Sequence, residues 1–260
     1  KDINLPESLE VIGAGAFRNC LSYNPPALPK ILREIHPSAF RFCDSLSEIT
    51  LPDAVNKIAV SAFAGCSNLQ EVEFAAIKQV DNHAFSGCLK LNKIPIQNIE
   101  NRIGIAAFKG CISLEKLCFS NTIAMIDSAA FRGCSSIKEL DITSSSITFI
   151  GGAAFRDNSA LEKVVLSPSV KLLKKSAFRG CVALETVDIK SEHMEIGKNV
   201  FMDCGRLFDF NFSPNCRMQI DKSAFINCPV ELKLEFLIQN EAVKNLVSTK
   251  ADLSDKSLDM

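Results

Sequence analysis

Phenylalanine returns along this chain every 22 to 24 residues, at Phe17, Phe40, Phe63, Phe85, Phe108, Phe131, Phe155, Phe178, Phe201 and Phe225. That period constrains the fold more than any other feature, because so short a unit cannot bury its own apolar face and must stack on its neighbours. The rest of the unit repeats with it. Alanine precedes nine of the ten phenylalanines, with Val200 the exception. Five residues before each stands an aliphatic side chain: Ile12, Ile35, Ile58, Val80, Ile103, Ile126, Ile150, Leu173, Ile196 and Ile220. Three residues after comes cysteine in nine cases and Asn158 in the tenth. Leucine usually follows at six, as in Leu46, Leu69 and Leu184, with apolar residues at nine and eleven, as in Ile49 and Leu51 or Leu140 and Ile142.

Each spacing has a physical reading. Positions nine and eleven share a period of two, so both side chains point to one face of a short strand. The next coil lays its strand alongside at about 4.8 Å, giving a parallel sheet. The aliphatic residue five before the phenylalanine lies in a second extended stretch. Phe and Cys three apart predict one helical turn with both facing inward. Two residues after the phenylalanine, nine of ten positions hold Gly, Asn or Asp, which tolerate the left-handed conformation that ends a helix. Phe42 breaks that rule, which predicts a different local turn there. The repeat also absorbs two oddities of composition, 18 Phe beside one Tyr and no Trp, and 11 Cys. The phenylalanines form a ladder along the axis, and the cysteines fill a tight slot as small buried thiols.

The pattern L-x-x-I-x-L followed by I-x-x-x-A-F-x-x-C resembles the BspA-type leucine-rich repeats. Leu69-x-x-Val72-x-Phe74 leading to Val80-x-x-x-Ala84-Phe85-x-x-Cys88 is a clear instance, and Leu184-x-x-Val187-x-Ile189 leading to Ile196 and Phe201 is another. The resemblance runs from residue 3 to about residue 236. It implies an α/β solenoid, a right-handed leucine-rich-repeat superhelix of about ten 22–24-residue repeats with a parallel β-sheet on the concave face. It also implies adhesion and protein binding, the usual roles of that family on surfaces of host-associated bacteria and some parasitic protists, with no catalytic residues to transfer. A parallel β-helix is the rival architecture, set aside because its flat coils lack a regular Phe-x-x-Cys helical turn.

Residues 1–236 are therefore expected to form the repeat domain. Ile3-x-Leu5 matches a strand whose earlier half is missing, which suggests a chain beginning mid-coil and cut from a longer protein. Leu232-x-Leu234-x-Phe236 reads as the last strand. Ala242, Val243, Leu246 and Val247 then stand at helical spacing, so 237–260 is expected to be a capping helix and a polar tail.

The outward strand positions, eight and ten after each phenylalanine, form the face that a solenoid presents to partners. They supply the candidate contact residues Glu48, Glu71, Glu73, Lys93, Lys116, Glu139, Asp141, Lys163, Asp188 and Asp209, interleaved with Thr50, Pro95, Cys118, Val165, Thr186 and Asn211. Carboxylate pairs such as Glu71/Glu73 arise on any polar strand face without chemistry. His36, His83 and His193 sit at different repeat positions and share no nucleophile, and no Gly-rich phosphate loop is present. No catalytic residue, metal site or cofactor is expected. Zinc sites need close pairs such as C-x-x-C, which the chain lacks. Cysteines stacked about 5 Å apart stand too far for a disulfide, whose Cβ atoms lie near 3.8 Å. Cys118, off the ladder, is the thiol expected to be exposed and reactive.

The charges nearly cancel, 29 basic against 30 acidic, which excludes a dedicated, specific nucleic-acid binder. No run of about 18 apolar residues exists, so no helical membrane span is expected. Six rungs carry a basic residue after the phenylalanine: Arg18, Arg41, Lys109, Arg132, Arg156 and Arg179. Glu115, Glu162 and Glu185 follow six positions on within their own rungs and are expected to pair with them weakly at the surface. The leading expectation is a monomeric, non-catalytic adhesion module, secreted or at the cell surface. Its concave face would bind a host surface or matrix protein, or a glycan. A cytoplasmic protein-interaction scaffold, consistent with many free thiols, is the alternative. A further one is polyanion binding by the basic stripe, with affinity that falls steeply with salt.

Overall fold

A computed structural model describes residues 4–22 and 27–230. The last strand and capping helix expected beyond residue 230, and with them the boundary at residue 236, lie outside the described residues. Within them the chain winds as a parallel β-solenoid whose coils stack on three hydrogen-bonded ladders.

The first ladder holds the aliphatic residue five before each phenylalanine. Val11–Ile12 pairs with Glu34–Ile35, and an eight-stranded sheet then runs through Lys57–Ile58, Ile77–Val80, Ile99–Ile103, Met125–Ile126, Phe149–Ile150, Leu172–Leu173, His193–Ile196 and Arg217–Ile220. The strands pair in parallel and in coil register, as in Ile126 with Ile150 and Leu173 with Ile196. The second ladder holds the nine-and-eleven pattern. It comes in two pieces, Glu48–Thr50 with Glu71–Glu73, and a four-stranded sheet of Glu139–Asp141, Lys163–Leu166, Thr186–Ile189 and Asp209–Phe212.

The sheet expected to run unbroken along this side is therefore interrupted. After the isolated bridge from Glu71 to Lys93, residues 115–120 form no strand. One cause is legible: Pro95, at an outward strand position, has no N–H to give the neighbouring coil.

The third ladder is the Ala-Phe segment itself. The N–H of each phenylalanine donates to the carbonyl of the residue before the next one, as in Phe85 to Ala107 at 2.7 Å and Phe131 to Ala154 at 2.8 Å. N–H groups two residues before and two after do the same, as in Ala129 to Gly152 and Gly133 to Arg156, except that Asn199 donates to the Ser223 hydroxyl instead. This segment is not a helical turn. Hydrogen bonds span three residues, Ala84 to Asp81, Ser86 to His83 and Cys88 to Phe85, so the corner is a run of overlapping β-turns. Two positive φ values per coil make it possible. All ten residues two after the phenylalanine are left-handed, Phe42 (φ 60) among them, and so are residues two before, such as His83, Ala106, Ala129 and Ala153. No α-helix occurs among the described residues, where a 3-10 turn at Ile96–Asn98 is the sole helical element. The α component of the expected fold is thus overturned, and with it the ground on which a β-helix was set aside.

Phe42 adopts the same turn as its glycine and asparagine counterparts, against expectation. Its ring lies where a side chain on Gly65 of the next coil would stand, and the Arg41 guanidinium sits 4.8 Å from its centroid. Those contacts offset the strain of a bulky left-handed residue.

The ten ladder rings stack without a gap, with centroids 5.2 to 5.6 Å apart and planes within 16° of parallel. From Phe40 to Phe225 each ring is fully buried. Nine steps of offset stacking, added to the area each ring removes from water, give the array its continuous core. Phe119 and Phe210 meet this stack edge-on, at Phe131 and at Phe201 and Phe225.

Candidate functional site

The outward strand residues gather in two groups, one on each piece of the second ladder. In the first, Glu48 stands beside Glu71 and Thr50 beside Glu73. Lys93 Nζ reaches Glu71 Oε2 at 3.0 Å, and the Thr50 hydroxyl donates to Glu73 at 3.4 Å. A depression of about 640 Å³ opens here between Leu28, Lys30, Glu48, Glu71 and Glu73. A second of about 560 Å³ follows, lined by Asp53, Glu73, Lys93 and Gln97.

In the second group Glu139, Lys163, Thr186 and Asp209 share one row, and Asp141, Val165, Asp188 and Asn211 the next. Lys163 lies 3.5 Å from Glu139, and the Asn211 amide donates to Asp188 at 2.9 Å. The N–H and hydroxyl of Thr143 both donate to Asp141 Oδ1, holding that carboxyl below its ordinary range. Val165 is buried, so it is not part of the accessible face.

Lys116 belongs to neither sheet. With Cys118 it lines a depression of about 590 Å³ that continues over Ser135, Lys138, Glu139 and Asp141. Leu28, Lys30 and Lys138 join these hollows from positions that no repeat rule marks. The structure brings nine of the ten expected contact residues onto the two strand groups, with Lys116 between them.

The cysteine ladder is more than filler. The thiols of Cys43, Cys66, Cys88, Cys111, Cys134, Cys181, Cys204 and Cys228 each donate to the carbonyl of the preceding coil's phenylalanine at 2.7 to 3.2 Å. That carbonyl also accepts the N–H of its own coil's cysteine, as in Cys66 to Phe63. Both lone pairs of the buried oxygen are thereby used. The Cys66 N–H also lies against the Cys88 sulfur. Burial pushes the thiols of Cys88, Cys134 and Cys181 up to about 12. Cys118 is the exposed cysteine among the described residues.

Asn158 stands at the cysteine position of its coil and is fully buried. Its Oδ1 accepts the Cys134 N–H at 2.9 Å, taking over the acceptor role of the missing sulfur. Its Nδ2 has no partner among the described residues.

Three of the six basic-stripe residues are neutralised, and by partners other than those expected. Arg132 pairs with Asp157 of the next coil at 3.2 Å, Arg156 with Asp157 at 3.3 Å and Arg179 with Asp203 at 3.3 Å. The acids are therefore the left-handed turn residues, which serve the turn and the charge together. Glu185, expected to pair with Arg179, pairs with Arg206 instead.

The model of the BspA type leucine rich repeat region matches residues 1–114 and 101–232, in six copies. The chain belongs to this family. Among solved structures, a leucine-rich repeat protein from Bacteroides ovatus is 25% identical, with a TM-score of 0.52 over 94% of this chain and 81% of its own. The T. pallidum leucine-rich repeat protein is 27% identical, with a TM-score of 0.45 over 69% and 72%. A leucine-rich cell surface protein from Faecalibacterium prausnitzii is 22% identical, with a TM-score of 0.44 over 79% and 70%. A comparison with curated proteins returned no match. Leucine-rich repeats of this family are generally protein-interaction modules. No helix among the described residues is long and apolar enough to cross a membrane.

Proposed function

We propose that the chain is a non-catalytic adhesion module, displayed at a cell surface or secreted, that holds a protein or glycan partner against the outward residues of its second ladder. The observation that carries this reading is the division of labour within each coil. Inward positions are consumed by the core and turn positions by the third ladder. The second ladder presents Glu48, Glu71, Glu73, Glu139, Asp141, Asp188 and Asp209 in rows beside Lys93 and Lys163. Surface ion pairs of this kind contribute little to folding, so these side chains are free to serve recognition. A right-handed superhelix with this ladder on its concave side is the geometry the reading requires.

The test replaces Glu71, Glu73, Glu139 and Asp141 together with their amides, then measures binding to a panel of extracellular matrix proteins and glycans. The reading expects wild-type binding to at least one of them and its loss in the variant, with the unfolding midpoint unchanged. Binding that survives the four substitutions places the site elsewhere.

A further inference from the structure

A second basic array, distinct from the stripe after the phenylalanines, lies three residues before them. Lys175, Lys198 and Lys222 hold that position in three consecutive coils and are all exposed. Stacking of the coils, read from ring centroids 5.3 to 5.6 Å apart, sets these lysines in one row along the axis. None of the three forms an ion pair among the described residues, whereas Arg132, Arg156 and Arg179 of the other stripe all do. Like charges so closely stacked repel one another. Asp221 is the acid that feels Lys198 and Lys222, but its Oδ1 is taken up by the N–H and hydroxyl of Ser223.

The backbone at the same corner carries a matching feature. The N–H groups two residues before the phenylalanines are all engaged here, Ser176 with the Lys198 carbonyl, Asn199 with the Ser223 hydroxyl and Ser223 with Asp221 Oδ1, but those of Lys175, Lys198 and Lys222 find no acceptor among the described residues. The same N–H is open at Val60, Asn82, Ser128 and Gly152, whereas Ile105 donates to Asn82 Oδ1 at 2.9 Å; what sets these three coils apart is the ammonium carried on the same residue. Each of the three lysine coils thus offers one ammonium and one free N–H on the same residue, a donor set suited to an oxyanion.

We propose that this ridge binds a linear sulfated polysaccharide lying along the solenoid axis, its anionic groups stepping from coil to coil. The row suits a polymer with charges at regular intervals, and lysine serves sulfate as a point charge. A bilayer would call for exposed apolar side chains to enter it, and none stands at the three ridge positions. Bases of a single-stranded nucleic acid would call for aromatic faces, and the neighbouring Phe149 ring is covered by Lys174 at 4.3 Å. The inference is independent of the strand-face reading.

The experiment titrates heparin into the full chain at rising salt, alongside a Lys175→Gln/Lys198→Gln/Lys222→Gln variant and an Arg132→Gln/Arg156→Gln/Arg179→Gln control. Wild type is expected to bind with an affinity that falls with salt. The lysine variant should lose roughly tenfold or more and show a shallower salt dependence, while the arginine control stays near wild type. Three results would overturn the proposal: no heparin binding by wild type, equal binding by the lysine variant, or tighter binding of single-stranded DNA or anionic vesicles at the same salt.

Discussion

Asn158→Cys should make this protein more stable, although it removes a hydrogen-bonding amide from the core. The Asn158 side chain is fully buried, and its Oδ1 already takes the Cys134 N–H. Its Nδ2 brings donors that meet no acceptor among the described residues. A buried donor left unsatisfied costs about 1–3 kcal/mol. In the other cysteine coils the thiol reaches the preceding phenylalanine carbonyl, as Cys181 reaches Phe155 at 3.2 Å. The matching acceptor for residue 158 is the Phe131 carbonyl, whose backbone donor is the Cys134 N–H at 3.3 Å. Cysteine is close to asparagine in volume, so the cavity cost is small. Allowing about 0.5–1 kcal/mol for the weaker sulfur acceptor leaves a net gain of about 0–2.5 kcal/mol, centred near 1 kcal/mol. Urea unfolding followed by circular dichroism measures it, and the thermal midpoint should rise by about 2–4 °C per kcal/mol. Asn158→Ala, which leaves the Cys134 N–H only its longer bond to the Phe131 carbonyl at 3.3 Å and opens a cavity in the core, should instead destabilise. An Asn158→Cys protein no more stable than wild type would refute the reasoning.

Truncating the ladder at its middle, Phe131→Ala, should cost about 3–5 kcal/mol, and half-buried Phe17→Ala clearly less; a Phe131→Ala cost within about 0.5 kcal/mol, the surface range, would contradict the stacking. At neutral pH a thiol reagent should label Cys118 rapidly in the native state, with the buried ladder cysteines labelled on the timescale of unfolding, as mass mapping would show. Folded-state thiols held near 12 at Cys88, Cys134 and Cys181 against an ordinary 9.0 mean that the unfolded chain releases protons first as pH rises. Stability should therefore be intact below about pH 8.5 and fall above it, by up to roughly 1.4 kcal/mol per pH unit for each thiol. A flat stability profile from pH 8 to about 10.5, measured by urea titration, would count against the buried thiol ladder.

Much of this architecture is legible in the residues because the period is enforced by packing. The positions of Phe131, Cys134 and Ile126 recur from coil to coil since each must meet its counterpart one turn away, and Gly65, Gly87, Gly110, Gly133 and Gly180 mark a left-handed position openly. The second left-handed position is hidden. Ala106, Ala129 and Ala153 have no intrinsic preference for it, and the ladder bonds from their N–H groups impose it. A helical turn and a run of overlapping β-turns both place Phe and Cys on one side, so their spacing does not tell the two apart. Pro95 announces a weak point in the second ladder, whereas nothing in Lys116 or Cys118 does. The pairing of Arg132 with Asp157 crosses between coils, so a search within one rung does not reveal it. The lysine row at 175, 198 and 222 is equally a property of stacking: its members are 23 and 24 residues apart and become neighbours only when the coils close.

The central claim is that the outward carboxylates of the second ladder are the surface a partner covers. Carbodiimide labelling of carboxyl groups, read by mass spectrometry with and without a bound partner from the matrix and glycan panel, tests it most directly. Protection should fall on Glu48, Glu71, Glu73, Glu139 and Asp141, while Asp127 and Asp221, on the side of the first ladder, label as before. Protection confined to Asp127 and Asp221, with the strand carboxylates still reactive, would contradict the account.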